Sequence, residues 1–105
     1  VIGDIMTDAY AWGHTDRMSP EAPVPVLHIR KTENRAGGAA NVALNLLSLG
    51  AQVKLVSLIG DDEAGTQLRA LLHAAGVGTA GLVASSYRPT TVKTRIMSGT
   101  QQLLR

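Results

Sequence analysis

The central part of the chain alternates between strand-like and helix-like segments that are separated by glycines. Residues 52–59 form an apolar run typical of a buried strand. The segments on either side carry apolar residues at the helical period, and Gly50 and Gly76 follow them where C-terminal caps belong. Strands that alternate with helices of about a dozen residues favour right-handed β-α-β units. The pattern predicts an α/β fold in which a mostly parallel sheet is flanked by helices.

The N-terminal run and the segment that follows it differ in character. Residues 1–5 are short and apolar, which we interpret as a core strand. Residues 6–23 are polar and are interrupted by one glycine and two prolines, which predicts a loop or a peripheral excursion. We expect the β-α-β core to occupy residues 36–83.

Two segments do not fit the alternation and predict a small β lid beside the sheet. Residues 24–30 largely alternate at period two, and Pro25 within them favours an edge strand. Two short runs near the C-terminus predict a hairpin that turns around Gly99. The lid is accordingly assigned to residues of about 10–31 and 90–105.

Composition and charge exclude several classes of protein. The net charge is only +2 and the basic residues are scattered, so nucleic acid is not an expected partner. No apolar run approaches the ~20 residues needed to cross a membrane, and no membrane partner is expected. The chain has no cysteine, and its three histidines lack the spacing of metal ligands, so no metal site is predicted. The lack of cysteine fits a reducing compartment, and we expect a cytoplasmic protein.

Neither end of the chain has the polar, loosely held residues that natural termini usually carry. The chain starts at Val1 in one strand-like run and stops at Arg105 in another. We therefore expect it to be the N-terminal fragment of a longer domain.

The most informative stretch for function surrounds a pair of glycines before the first helix. Gly37 and Gly38 have no Cβ, so the backbone can approach a ligand closely, and the helix that follows presents free N–H groups. Asn41 adds an amide with both donors and acceptors, which suits a sugar hydroxyl. A tight turn packed on the sheet is the alternative explanation, and the diglycine by itself favours it.

Asp8 follows the first predicted strand. A carboxylate at the C-terminal end of a parallel strand faces the crevice where ligands of open α/β sheets bind. Capping of a turn is the alternative, and Asp8 by itself supports both equally. The glycine pair at the neighbouring strand end favours binding.

The run Gly37-Gly38-Ala39-Ala40-Asn41-Val42-Ala43, followed by Gly50 and Gly60, resembles the first signature of the PfkB family of carbohydrate kinases. The run Gly3-Asp4-Ile5-Met6-Thr7-Asp8 resembles the first strand of that family. The resemblance implies a ribokinase-like fold with a small β-strand lid. It also implies a sugar-binding role for Asp8, Gly37, Gly38 and Asn41.

A closer resemblance extends over almost the whole chain, including Ser19-Pro20-Glu21-Ala22-Pro23-Val24-Pro25-Val26 and Thr91-Val92-Lys93-Thr94-Arg95. These segments resemble the kinase domain of bacterial heptose-7-phosphate kinases. That resemblance implies phosphorylation of heptose 7-phosphate at the anomeric hydroxyl, giving heptose 1,7-bisphosphate for ADP-heptose and the lipopolysaccharide core. An adenylyltransferase domain often follows in such proteins. Two alternatives stay open: another PfkB sugar or nucleoside kinase, and a non-catalytic sugar-binding α/β module.

The resemblance also implies ATP and Mg²⁺ as cofactors, bound mainly by segments beyond Arg105. The family carries its catalytic base in a late motif, Asp-Thr-x-Gly-Ala-Gly-Asp, which does not occur in these 105 residues. We therefore predict no catalytic residue in the chain, and we expect the chain alone to be inactive.

Cations on the predicted lid and its neighbouring strand suit a phosphorylated sugar. Phosphate monoesters prefer arginine forks and lysine charges, so at least one of three residues is expected to contact the substrate phosphate. The three are Arg17, Lys93 and Arg95. The alternative is that they are solvated residues protecting a sheet edge. Related kinases often pair through their lids, and the period-two edge segments permit a homodimer of that kind.

Two further patterns are assigned structural roles. Residues 76–81 have the spacing Gly-x-Gly-x-x-Gly, but they follow a helix and lead into a strand, so we interpret them as a helix stop and loop. Asp61 and Asp62 are expected to cap the second helix rather than to bind a metal.

Overall fold

The computed structural model describes all 105 residues in six strands and two helices. In chain order these are β1 (Ile5–Met18), β2 (Pro25–Gly38), α1 (Ala39–Ser48), β3 (Lys54–Gly60), α2 (Glu63–Ala75), β4 (Gly78–Ser85), β5 (Val92–Ser98) and β6 (Gln101–Leu104). The chain divides into two compact units. The core unit comprises residues 1–7 and 35–92, and the lid unit comprises residues 8–34 and 93–105.

The core unit is a small parallel sheet covered by helices. β3 pairs with β4 in parallel, and Ile2 forms a single parallel bridge to Val56. Residues from the sheet and both helices share one buried cluster, whose largest fully buried side chains are Leu55, Leu68, Leu72 and Val77. The predicted α/β class with parallel strands is confirmed. Neither helix is long and apolar enough to cross a membrane.

Both helices end at the glycines that the sequence marked. Gly50 has a φ of 91°, and the N–H of Ala51 beyond it donates to the carbonyl oxygen of Leu46 at 3.1 Å. Gly76 ends α2 in the same left-handed conformation, with a φ of 99°. Such caps satisfy carbonyl groups that the last helical turn leaves unpaired. The predicted C-terminal caps are confirmed.

The Gly-x-Gly-x-x-Gly stretch is mostly strand, so the prediction of a loop there is wrong. Gly78 and Gly81 lie within β4, and β4 pairs with β3 along this stretch. A Cβ on Gly81 would lie 2.7 Å from the carbonyl oxygen of Leu55. The glycines therefore let the two strands approach each other closely.

The prediction of a loop or excursion over residues 6–23 is wrong for residues 6–18, which belong to β1. Residues 1–4 carry only the isolated bridge, and the continuous strand begins at Ile5. β1 lies between β2 and β5 in a four-stranded sheet of order β2-β1-β5-β6. Neighbours on both sides can satisfy its backbone groups, so polar side chains do not prevent a strand here. The two prolines fall in the connection between β1 and β2.

The lid unit contains the predicted hairpin and an edge strand. β5 and β6 pair antiparallel with Ser98 opposite Gln101, and Gly99 in the turn has a φ of 58°. β2, which contains Pro25 at its start, is an outer strand of the sheet. Gly13 in β1 has no room for a side chain, because a Cβ there would overlap the carbonyl group of His28.

The side chain of Asp62 links the start of α2 to the segment before β5. Its Oδ1 accepts hydrogen bonds from the N–H of Gly65 at 2.8 Å and from the hydroxyl of Thr90 at 2.6 Å. Its Oδ2 accepts one from the N–H of Thr90 at 2.8 Å. The Thr90 hydroxyl in turn accepts one from the N–H of Gly60 at 2.8 Å. We call these four residues the Asp62 clamp; the predicted cap is confirmed for Asp62, whereas Asp61 does not occupy the capping position.

We expect Asp62→Asn to reduce the dependence of stability on acidic pH. The hydroxyl of Thr90, and then the N–H groups of Thr90 and Gly65, hold the pKa of Asp62 below its ordinary value. A carboxyl group with a lowered folded-state pKa stabilises the fold above its unfolded-state pKa of about 3.9. That contribution is lost as the pH falls through the folded-state value.

Urea unfolding at a series of pH values from about 6 to about 2 measures this effect. The free energy of unfolding of the wild type should fall more steeply below pH ~4 than that of the variant. Parallel curves for the two proteins would contradict the expectation.

Candidate functional site

The residues predicted to bind substrate are distributed over both units. The lid unit holds Asp8, Arg17, Lys93 and Arg95. The core unit holds Gly37, Gly38 and Asn41. Each group forms its own local arrangement, and a ligand shared between them stays a prediction.

Gly38 begins α1 in a conformation that only glycine adopts readily. Its φ is 63°, and a Cβ at this position would lie 2.5 Å from the carbonyl oxygen of Asp4. The same oxygen accepts a hydrogen bond from the N–H of Ala39 at 2.9 Å. Both the backbone angle and the close contact therefore require glycine here. Gly37 beside it is buried.

The first turn of α1 is left open to a polar ligand. No side chain caps the helix, and no acidic residue lies in its first turn. Asn41 is exposed in that turn, and its amide makes no hydrogen bond within the protein. Uncapped N–H groups at a helix start favour hydroxyl and anionic oxygens. These features fit the predicted contact with a sugar.

Asp8 pairs with Lys93 in the lid unit. Nζ of Lys93 lies 3.3 Å from Oδ1 of Asp8, and the two side chains are 35% and 19% exposed. Oδ1 is nevertheless buried without a hydrogen-bond donor, because the ammonium group is not aligned for such a bond. The lysine offsets the charge of the carboxylate and leaves its acceptor capacity unused. A ligand hydroxyl is a donor of the kind that this oxygen lacks.

Arg95 lies two residues beyond Lys93 on β5 and stacks on an aromatic ring. Its guanidinium carbon is 5.5 Å from the centre of the Tyr10 ring. Its Nε is buried and has no hydrogen-bond partner. A stacked guanidinium group with an unused N–H can donate to an anionic oxygen, such as that of a phosphate.

Two aromatic residues follow Asp8 along β1. Tyr10 and Trp12 are stacked with their ring centres 5.2 Å apart and their planes 13° apart. Nζ of Lys31 on β2 lies 5.0 Å from the centre of the Trp12 ring. Asp8, Tyr10 and Trp12 share one face of β1 because side chains alternate along a strand.

Lys31 was not among the residues that the sequence indicated. The signal that could have found this face is the alternation at positions 8, 10 and 12, which becomes visible once residues 6–18 are recognised as a strand. Lys31 also lies 3.8 Å from Glu33 in an exposed ion pair, which contributes little to stability. The face therefore combines one carboxylate with an aromatic pair and several cations.

Arg17 lies apart from this cluster. It is exposed near the C-terminal end of β1, nine residues beyond Asp8, which corresponds to roughly 30 Å along an extended strand. Its role in substrate binding stays a prediction. The cations that the structure brings to Asp8 are Lys93 directly and Arg95 two positions further along the same strand.

The chain contains no group of three or more His, Cys, Asp and Glu residues that could hold a metal ion. Asp62, the acidic residue with the most hydrogen bonds, is committed to the clamp. No residue of the chain is therefore assigned to Mg²⁺.

Comparison with known proteins gives consistent matches. The profile described as pfkB family carbohydrate kinase matches residues 1–104. The D-beta-D-heptose 7-phosphate kinase of Bordetella bronchiseptica is 50% identical over all 105 residues, which make up 33% of that protein. The bifunctional protein HldE of Actinobacillus succinogenes is 53% identical over the same residues, which make up 22% of it. The chain thus spans a third or less of the length of these relatives.

The fold also matches solved structures. Ribokinase from Cryptococcus neoformans var. grubii serotype A, in complex with ADP, superposes with a TM-score of 0.64 at 29% identity. The match covers 93% of this chain and 30% of that one. The expected ribokinase-like α/β fold is confirmed.

We expect Tyr10→Leu to expose Trp12 and loosen the lid unit. Loss of the stacked ring should shift the emission of Trp12, the single tryptophan, to longer wavelength. It should also lower the free energy of unfolding by at least about 0.5–1.5 kcal/mol. Tyr87→Leu is the matched control because Tyr87 is 98% exposed. Equal spectra for the two variants would contradict the stacking arrangement.

Proposed function

The chain belongs to the pfkB family of carbohydrate kinases, and from that premise we propose that it supplies the sugar-binding part of an ATP-dependent kinase for a sugar phosphate. The proposed substrate is heptose 7-phosphate, and the proposed product is heptose 1,7-bisphosphate. The 50% identity to a relative named D-beta-D-heptose 7-phosphate kinase supports this choice. The observation that carries it is the buried, donor-less oxygen of Asp8 beside Lys93.

The face of the lid unit that carries Asp8, Tyr10, Trp12, Lys93 and Arg95, called the lid face, has groups for both the hydroxyls and the phosphate of such a substrate. The carboxylate of Asp8 accepts a hydrogen bond from a sugar hydroxyl. Lys93 and Arg95 supply the positive charge and the N–H groups that bind the 7-phosphate. A neutral sugar uses the first of these features and offers no anionic group to Arg95 or to Lys93, whose anionic partner in the structure is Asp8.

The start of α1 supports the same proposal from the core unit. Gly38 keeps the backbone free of side-chain atoms at the helix entrance. Asn41 is an exposed amide in the first turn and can both donate to and accept from sugar hydroxyls. Its proposed role, with Gly37 and Gly38, is to orient the sugar rather than to react with it.

The proposed reaction forms a bond between the anomeric oxygen and the γ-phosphorus of ATP, and ADP leaves. Binding of the nucleotide and of Mg²⁺, and removal of the proton from the anomeric hydroxyl, are assigned to no residue of this chain. The ADP complex of the Cryptococcus ribokinase supports nucleotide use by proteins of this fold. A cytoplasmic location, a role in ADP-heptose supply and pairing of two copies through the lid strands belong to the proposal.

The full-length protein should phosphorylate heptose 7-phosphate with ATP, and two substitutions should weaken binding of the sugar. Asp8→Ala and Asn41→Ala each remove hydrogen bonds worth about 1–3 kcal/mol, so KM for the sugar should rise roughly 5- to 150-fold. KM for ATP should stay within about twofold in both variants. A coupled assay of ADP release measures both constants, and unchanged KM for the sugar would refute the site assignment.

The cations should distinguish a phosphorylated sugar from a neutral one. Lys93→Met and Arg95→Leu should each weaken binding of heptose 7-phosphate about tenfold or more. Arg95→Leu should have little effect on a neutral heptose, and Lys93→Met a smaller effect than on the sugar phosphate, because it also leaves Asp8 without its cation. Arg17→Met is the comparison on the same lid unit. A preference of the wild type for a neutral sugar or a nucleoside would instead favour another pfkB activity.

A comparable loss with Arg17→Met would place the phosphate at the far end of β1. Isothermal titration with the two sugars gives the affinities without depending on turnover. Equal losses for both sugars in all three variants would show that the cations do not recognise phosphate.

A further inference from the structure

The Asp62 clamp lies outside the residues proposed to bind substrate, yet it anchors the chain just before β5. Thr90 is only 7% exposed and is held through both its N–H and its hydroxyl. Lys93 follows Thr90 by three positions in the chain. The Asp62 clamp therefore holds the segment that leads into Lys93.

We infer that Asp62 is a positioning residue for the Asp8–Lys93 pair. By fixing Thr90, it sets the register in which β5 begins, and this register presents Lys93 on the face that carries Asp8. The inference rests on the proposed function, because the pair is part of the proposed sugar phosphate site.

A further hydrogen bond joins the anchored segment to β1, the strand that carries Asp8. The N–H of Thr7 donates to the carbonyl oxygen of Thr91 at 2.9 Å, and Thr7 is 7% exposed. Asp8 is the residue after Thr7, and Lys93 lies two positions after Thr91. The clamp on Thr90 thus fixes the residue next to the one that binds β1.

The register matters because successive side chains of a strand point to opposite faces. A slip of one residue in β5 would turn Lys93 away from Asp8 and leave a half-buried carboxylate without its cation. Arg95 would turn with it, since it lies two positions further along the same strand. Anchoring of Thr90 just before β5 therefore determines the face of the sheet on which both Lys93 and Arg95 lie.

Two glycines of the clamp have no room for a side chain. A Cβ on Gly60 would lie 2.5 Å from Oδ2 of Asp62 and 2.5 Å from the nitrogen of Thr90. A Cβ on Gly65 would lie 2.8 Å from the hydroxyl of Thr90. Gly60 and Gly65 therefore let the main chain pack closely around Asp62 and Thr90.

Asp62 caps α2 as well as anchoring Thr90, and substitution by serine distinguishes these two roles. Serine is also a good helix cap, so Asp62→Ser can keep the bond to Gly65. Serine has no second oxygen in the place of Oδ2, so it loses the hydrogen bond from the N–H of Thr90. Asp61→Ser is the matched control, since it removes the same charge one position away, outside the clamp. Thr90→Val removes the hydroxyl, and Thr90→Ser restores it.

Two measurements on the full-length protein test the inference. KM for heptose 7-phosphate and for ATP is compared at a temperature at which all variants are folded. Hydrogen–deuterium exchange of the amides of residues 92–98 is followed in the same proteins. We expect Asp62→Ser and Thr90→Val to raise KM for the sugar phosphate about 10- to 100-fold and to speed exchange in β5. KM for ATP, the Asp61→Ser control and the Thr90→Ser variant should stay close to the wild type.

Unchanged KM for the sugar phosphate in folded Asp62→Ser and Thr90→Val proteins overturns the inference while leaving the proposed function in place. Equal increases in both KM values also overturn it, because they indicate a general loss of structure. If the wild type phosphorylates no sugar, the proposed function is wrong. The positioning role of Asp62 is then tested by hydrogen–deuterium exchange alone. Faster exchange of β5 in Asp62→Ser than in Asp61→Ser then supports the positioning role, and equal exchange rejects it.

Discussion

Backbone pairing along β1 is the constraint from which the lid unit follows. A strand of 14 residues carries N–H and C=O groups on both edges, and they need partners along its whole length. β2 and β5 supply the two flanking strands, and β6 extends the sheet beyond β5. The pairing brings side chains that are distant in sequence onto one face. The meeting of Asp8 with Lys93, 85 positions later in the chain, is a direct result.

On the lid face, charges are compensated but some buried polar atoms have no hydrogen-bond partner. Lys93 compensates the charge of Asp8 but does not donate a well-aligned hydrogen bond, and Nε of Arg95 also lacks an acceptor. Buried polar atoms without partners cost free energy in the isolated protein. In the proposed sugar phosphate site, the hydroxyl and anionic groups of the ligand relieve that cost on binding. The same atoms that reduce stability can thus provide affinity.

Local features were predictable from the sequence, whereas features made by distant residues were not. The glycine caps at Gly50 and Gly76 and the cap at Asp62 depend on a few neighbouring residues, and all three are found as predicted. The strand character of residues 6–18 was missed because its polar side chains are tolerated only when two other strands flank it. The hydrogen bond between Thr90 and Asp62 spans 28 positions and cannot be recognised from the sequence around either residue. Asp8 was selected as a binding residue, but its pairing with Lys93 needed the fold.

Gly13 limits how the lid can change over evolutionary time. Any side chain there would overlap the carbonyl group of His28, so the separation of the strands at this point is fixed by the main chain itself. In the proposed site, a change of substrate preference that keeps Gly13 also keeps this spacing of β1 and β2. Such a change then comes from exchanging the side chains along the face, on a surface of constant dimensions.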